Sequence, residues 1–283
     1  MALQSSGAIS LNDIHVEAGG SSGTQASMND SDIRALIGST ASTTVSFSDY
    51  YGASSSAEFV GAVTRKENDE SELDSASEAI NLTGAGVQVG DFVVIAFTAD
   101  TSDHTSMTIQ GMSGTLVQSG DTLPASLLFY GFWASGNSNP FLSGSGGTNS
   151  TRMRAMSVVA AIFRNTNSSV LRLTTGTLGG NNITNEGNAS GPPDPPANAA
   201  VSGSTSKLIV AIAMLDDDRI TMTAPSGYTL AGAIATDNAT SDGITGSATA
   251  IAYKFPTSET TENPGVFGPS SAIDSHDSYT LRV

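Results

Sequence analysis

The chain has 283 residues, 38% of them apolar and 6% aromatic, no cysteine, and eleven Lys plus Arg against twenty-seven Asp plus Glu for a net charge of -16. That balance excludes the basic clusters by which phosphate backbones and anionic membranes are held, and the missing cysteines exclude disulfides and thiolate metal sites. No run is long enough to span a bilayer as a helix, so membrane insertion is not expected.

Short apolar runs set among Gly, Ser, Thr and Asn are the profile of an all-β protein. The length allows one large or two modest domains. The opening residues, Met1 to Ser6, have neither a basic nor an apolar leader region, so synthesis in the cytoplasm without a signal peptide is the expectation.

Residues 1–53 read as a module of their own. A word of the form Ser-apolar-Asn/Ser-Asp occurs at Ser10 to Asp13, Ser27 to Asp30 and Ser46 to Asp49. Each sets a capping hydroxyl three residues before an acid that can return a hydrogen bond, a short-acid capping box. Three short helical turns are predicted: one through Ile14 to Glu17 ending at Gly19 and Gly20, one through Asp32 to Ile37 ending at Gly38, and one reaching Tyr50 and Tyr51. So small a module needs a surface to pack on, either the rest of this chain or another protein. Its docking candidates are Leu11, Ile14, Ile33, Leu36, Phe47, Tyr50 and Tyr51.

Ser54 to Ser56 reads as a flexible joint, and residues 54–283 as a β-sandwich domain. Glu58 to Val63 is its predicted first strand, and the acidic run from Lys66 to Glu78 a solvated loop. The turn Ala85 to Asp91 then feeds Phe92-Val93-Val94-Ile95-Ala96-Phe97-Thr98-Ala99-Asp100, an unbroken apolar run that stops at an acid. The same pattern returns at Leu208-Ile209-Val210-Ala211-Ile212-Ala213-Met214-Leu215-Asp216. Met-Thr and Gly-x-Leu or Gly-Tyr-Thr-Leu words follow each copy, and further apolar strands come at Leu127 to Trp133 and Ala250 to Phe255. This is an internal duplication. Half one covers 57–164 and half two 206–283, joined by a crossover at 165–205 whose tract Gly191 to Pro196 cannot sit in a central strand. Two sheets, each with an apolar face, bury it against each other. The expected architecture is an antiparallel β-sandwich of two duplicated halves, preceded by a small module of short helices.

Chemistry is sparse. The three histidines, His15, His104 and His276, are far apart, and no nucleophile elbow, His-Glu-x-x-His or phosphate-cradling loop occurs. No enzyme activity and no cofactor are expected. Acids recur at equivalent points of the repeat, Asp100 and Asp103 in the first half and Asp216, Asp217 and Asp218 in the second. They are calcium candidates on oxygen chemistry alone, because the spaced loop of a dedicated calcium site is absent. The single tryptophan, Trp133, lies in a run apolar on both faces, which places it in the core.

The combination of Ile9 to Gly20, Asp30 to Gly38 and Ser46 to Gly52 resembles the N-terminal segment of virion structural proteins of tailed phages, especially phages of marine bacteria and cyanobacteria. In that group such segments head tail-fibre, minor tail and other structural proteins. The resemblance implies that residues 1–53 dock the protein in the virion through the seven residues named above. The sandwich would then project for host-surface contact or for joining tail parts. It implies other virion proteins as partners, a host-surface glycan or protein as a further one, and a homo-oligomer, by analogy a trimer. Alternatives within the same reading are a head decoration, collar or head-fibre protein. From a different class, a carbohydrate-binding module fits the sandwich.

Overall fold

The computed structural model describes residues 3–37, 39, 43–51, 53, 55–67, 79–102, 106–118, 125–145, 153–166, 171–175, 192–200, 206–215, 221–236, 246–269 and 276–283. In the apolar run of the first half, strand alternation carries Val93, Ile95 and Phe97 to one face and Phe92, Val94 and Ala96 to the other, and all six are buried. A strand covered on both faces has no polar side to show, which is why its sequence does not alternate.

The described elements begin with α1 (Leu11–Glu17), α2 (Ser31–Ala35) and a 3-10 turn at Phe47–Tyr50. The first half then supplies β1 (Glu58–Glu67), β2 (Phe92–Ser102), β3 (Ser106–Gln110), β4 (Thr115–Gln118), β5 (Ala125–Phe132), β6 (Phe141–Ser145) and β7 (Met153–Arg164). The second supplies β8 (Arg172–Thr175), β9 (Ile209–Leu215), β10 (Met222–Thr223), β11 (Thr229–Ala235), β12 (Ala248–Lys254), β13 (Gly268–Pro269) and β14 (His276–Arg282).

Hydrogen bonding orders the first sheet β1-β7-β2-β5-β4, with β3 and β6 as a separate ribbon, and the second sheet β8-β14-β9-β12-β11, with β10 and β13 as a ribbon. Strand for strand, this is one topology twice. The register agrees: Tyr130 sits opposite Val94 in the first half and Tyr253 opposite Val210 in the second. All pairings are antiparallel. The chain is thus an all-β antiparallel sandwich of two duplicated halves behind a small helical module.

The sheets meet face to face. β11 lies over β1, β12 over β7 and β2, and β2 over its own counterpart β9. The two copies of the sheet are thus stacked with their strand orders reversed across the β2–β9 contact. Their shared core holds Phe92, Val94, Phe163, Val210, Ile212 and Leu281 among others. Each such side chain contributes roughly 1.5–3 kcal/mol by leaving water. One end of this layer is aromatic, with Phe59 stacked on Tyr253 at 4.9 Å and Phe163 edge-on to Tyr253 at 5.4 Å. The other end is a buried cluster of hydroxyls. Thr249 Oγ1 lies 2.9 Å from Thr98 Oγ1 and 2.7 Å from Ser157 Oγ, to which Ser247 Oγ donates at 3.1 Å.

Two features depart from the sequence reading. The first is a buried layer on the outer face of each sheet. Ile80, Leu82, Met112, Trp133 and Leu142 cover the first sheet, and Phe267 and Met222 cover the second. The expected single interior is therefore the middle one of three. The second is the crossover drawn at 165–205. β8 falls inside it yet pairs with β14 as the second sheet's edge, with Leu173 opposite Leu281. The described part of the proline tract is not a surface strap either, because Pro193 and Pro195 are buried. Pro193 accepts from Phe267 N at 2.9 Å and Pro196 from Thr280 Oγ1 at 2.7 Å. Proline cannot donate to a ladder, but its carbonyl and ring pack well as a lid on one.

Candidate docking module and its junction with the sandwich

The three Ser-x-x-Asp words share one geometry. The backbone N–H of the serine donates to Oδ2 of the aspartate three residues on, at 2.9 Å for Ser10 and Asp13, 2.7 Å for Ser27 and Asp30, and 2.7 Å for Ser46 and Asp49. At the first word the box is closed, since Asp13 N donates to Ser10 Oγ at 3.1 Å and α1 starts there. The Ser10 hydroxyl, then its N–H, hold the Asp13 carboxyl below the ordinary aspartate range. The second word behaves differently. Asp30, not Ser27, caps α2, and its side chain makes no cap bond because it has turned back to Ser27. The third starts only a 3-10 turn.

Around these turns Ile14, Ile33 and Tyr50 form a small core with no exposed surface, rimmed by Leu3, Leu11, Ala26, Met28, Leu36 and Val45. Arg34 braces it, donating to Asn29 Oδ1 at 2.7 Å and Thr43 O at 2.9 Å. Leu3 N donates to Ala53 O at 2.8 Å and the Tyr51 hydroxyl to Gly7 O, so both ends of the module are tied together. Of the seven docking candidates, Ile14, Ile33 and Tyr50 are enclosed in this core and present nothing to a partner. Burial also pushes the Tyr50 phenol up. Leu11 and Leu36 are half-buried, while Phe47 and Tyr51 are exposed at 43% and 38%. Val16, absent from the sequence-based set, is as exposed as Phe47, because α1 turns it away from Ile14.

The joint to the sandwich is held at Ser55. Its N–H and hydroxyl donate to Glu17 Oε1 at 2.9 and 3.3 Å, and its carbonyl accepts from Lys207 Nζ at 2.7 Å. Asn165 Nδ2 adds a bond to Ser56 O at 3.3 Å. The flexible joint expected here is, at Ser55 and Ser56, an anchored elbow. Burial opposes charge on Glu17, but hydrogen bonds, those of Ser55 foremost, outweigh it and hold the carboxyl below its usual range. Burial pulls the Lys207 ammonium down.

Beside the elbow runs a crevice of about 480 Å³ between Leu36, Ile37 and Tyr51 of the module and Glu58, Val89 and Arg164 of the first half. Arg164 forks onto Asp91, Nε to Oδ1 at 2.9 Å and Nη2 to Oδ2 at 2.8 Å. That hydrogen bonding raises the Arg164 pKa further, against the pull of burial.

Asp103, Asp216, Asp217 and Asp218 lie outside the described residues, as does the Asp100 side chain, so the calcium candidates stand as sequence expectations. Among the described residues there is no group of three His, Asp or Glu able to hold a metal ion. His104 also lies outside them. His15 contacts Thr24 at 2.8 Å within the module, and His276 begins β14, so the two are not assembled into a site.

Among the described residues the largest fully buried side chain is Arg282, which the sequence reading passed over. It donates to Glu259 Oε1 at 2.7 Å, Thr260 O at 2.6 Å, Ser206 Oγ at 3.1 Å, and the Asn198 side chain and carbonyl at 3.2 and 3.1 Å. Nearby, Lys254 and Tyr228 both reach Glu262 Oε1, at 2.6 and 3.2 Å. These bonds pin the outer cover of the second sheet. Nothing in a lone Arg on a C-terminal strand signals them.

No protein-family model matches this chain, and neither does any curated protein or solved structure.

Proposed function

We propose that this chain is a non-enzymatic structural protein of a tailed-phage virion, docked through residues 1–53 and displaying the sandwich outward as a tail-associated part. One observation carries the reading. The segment that resembles phage docking segments has a core of its own, meets the sandwich at an anchored elbow, and presents Val16, Phe47 and Tyr51 to solvent. Exposed large apolar groups on a small rigid module are the usual anchors of a protein interface. The remainder is acidic too, with twenty-two Asp plus Glu against ten Lys plus Arg in residues 54–283, and so repels anionic surfaces.

The test leaves the fold intact. In the full chain, Val16→Glu with Phe47→Glu removes the anchors without touching Ile14, Ile33 or Tyr50. The expected result is an unchanged thermal melt and loss of the protein from assembled particles. Incorporation at the wild-type level would overturn the docking assignment. Antibody labelling of intact particles then separates tail from head decoration.

A further inference from the structure

We infer that the crevice between module and sandwich is the docking surface's specificity pocket, and that it receives an arginine or lysine flanked by apolar residues on a neighbouring virion protein. This rests on the docking reading above and names the partner's chemistry at the same place.

The walls are mostly polar, with a patch of apolar side chains among them. Leu36 and Ile37 are half-buried there, and Tyr51 and Val89 are exposed at 38% and 63%, the latter being the most exposed large apolar side chain described. The charge is one-sided. Asp49, Glu58 and Asp91 line the crevice against the single guanidinium of Arg164. That guanidinium is already forked onto Asp91 and donates to Gly86 O at 3.2 Å, and its reach to Glu58 is 3.5 Å, long for a hydrogen bond. The Glu58 side chain, 52% exposed, thus keeps acceptor capacity facing the crevice. Two further features lie at the same wall. Asn165 is the one non-glycine residue in the left-handed region among those described, at φ 58, and Thr166 Oγ1 is buried without a hydrogen-bond partner among them. An unmet buried hydroxyl is a feature found where something binds. A long cationic side chain fits such a place, laying its methylenes on Val89 and Tyr51 while its head reaches Glu58.

The test uses the full chain and two named probes, the peptides acetyl-Ala-Leu-Arg-Leu-Ala-amide and acetyl-Ala-Leu-Glu-Leu-Ala-amide, titrated while backbone amide resonances are followed. The arginine peptide is expected to shift amides of 49–51, 88–91 and 164–166 saturably, and the glutamate peptide is not. Glu58→Gln should weaken the arginine peptide about three- to fivefold, the worth of one half-exposed ion pair. Val89→Ser should weaken it while leaving Glu58 in place, and melting curves confirm that both variants fold. Scattered shifts, equal response to the two peptides, or indifference to Glu58→Gln would overturn the inference. So would saturable shifts at these amides with methyl glucoside and none with peptide, which would give the crevice to a sugar. In particles the two readings separate: if the Val16→Glu, Phe47→Glu protein is lost but Glu58→Gln, Val89→Ser incorporates normally, docking stands and the pocket does not.

Discussion

Lys207 donates from its ammonium to the Ser55 carbonyl at 2.7 Å, across 152 residues of sequence, and so ties the second half of the sandwich to the elbow of the N-terminal module. Ser55 in turn donates to Glu17 at 2.9 Å. One residue is thereby gripped by the module on one side and by the sandwich on the other. Asn165 adds a second tie at the neighbouring Ser56 carbonyl.

Replacing Lys207 with Met should loosen this elbow and little else. A hydrogen bond from a charged donor contributes about 1.5 kcal/mol or somewhat more, which predicts about tenfold faster hydrogen exchange at the Ser55 amide. Glu17→Ala should do the same. Exchange in β2 and β9 should not change. Equal acceleration in those strands would mean that the elbow belongs to the global fold and is not a separate joint.

Acid should melt the first turn of α1 through Asp13. Its carboxyl titrates below the ordinary aspartate range in the folded chain. The capping contribution is therefore present above the unfolded-state pKa and lost as pH falls through the lower, folded one. Ser10→Ala removes the main cause, so the Asp13 carbon resonance should titrate closer to that of an unstructured peptide. An unshifted titration in Ser10→Ala would show that Ser10 is not the cause.

Arg282→Met should be severely destabilising. The guanidinium's partners, Glu259 Oε1, the carbonyls of Asn198 and Thr260 and the Ser206 hydroxyl, would be left under cover without it. Breaking a buried pair by removing one partner costs about 3–5 kcal/mol. The melting temperature should fall on the order of 10 °C. Arg282→Lys should rescue little, since one ammonium cannot serve acceptors spread around a planar fork.

The hydroxyl cluster predicts non-additivity. Thr249→Val leaves the buried Thr98 hydroxyl without its 2.9 Å partner and should cost about 1–3 kcal/mol. Adding Thr98→Val removes the orphaned hydroxyl, while Ser157 keeps Ser247 as its donor, and should recover part of that loss. Denaturant midpoints of the three variants measure it, and simple summation of the single costs would show that the hydroxyls act independently.

By itself, the sequence determined whatever is local or repeated. Both apolar words announced buried strands, and their recurrence announced the duplicated sheet; that a second layer covers the outer face as well was left to the tertiary structure. The Ser-x-x-Asp words announced their own hydrogen bonds, because donor and acceptor are three residues apart. What only the tertiary structure decided is long-range. β8 is four residues long, too short to show a period, and becomes a strand because β14 offers it an edge. Ile14, Ile33 and Tyr50 read as docking groups in a segment too small to stand alone, yet three turns folded together enclose them. The elbow at Ser55, the crevice beside it and the setting of Arg282 each join side chains from separate parts of the chain. Such contacts leave no periodic trace, because partners brought together by closure of the whole fold constrain each other's chemistry but not each other's spacing.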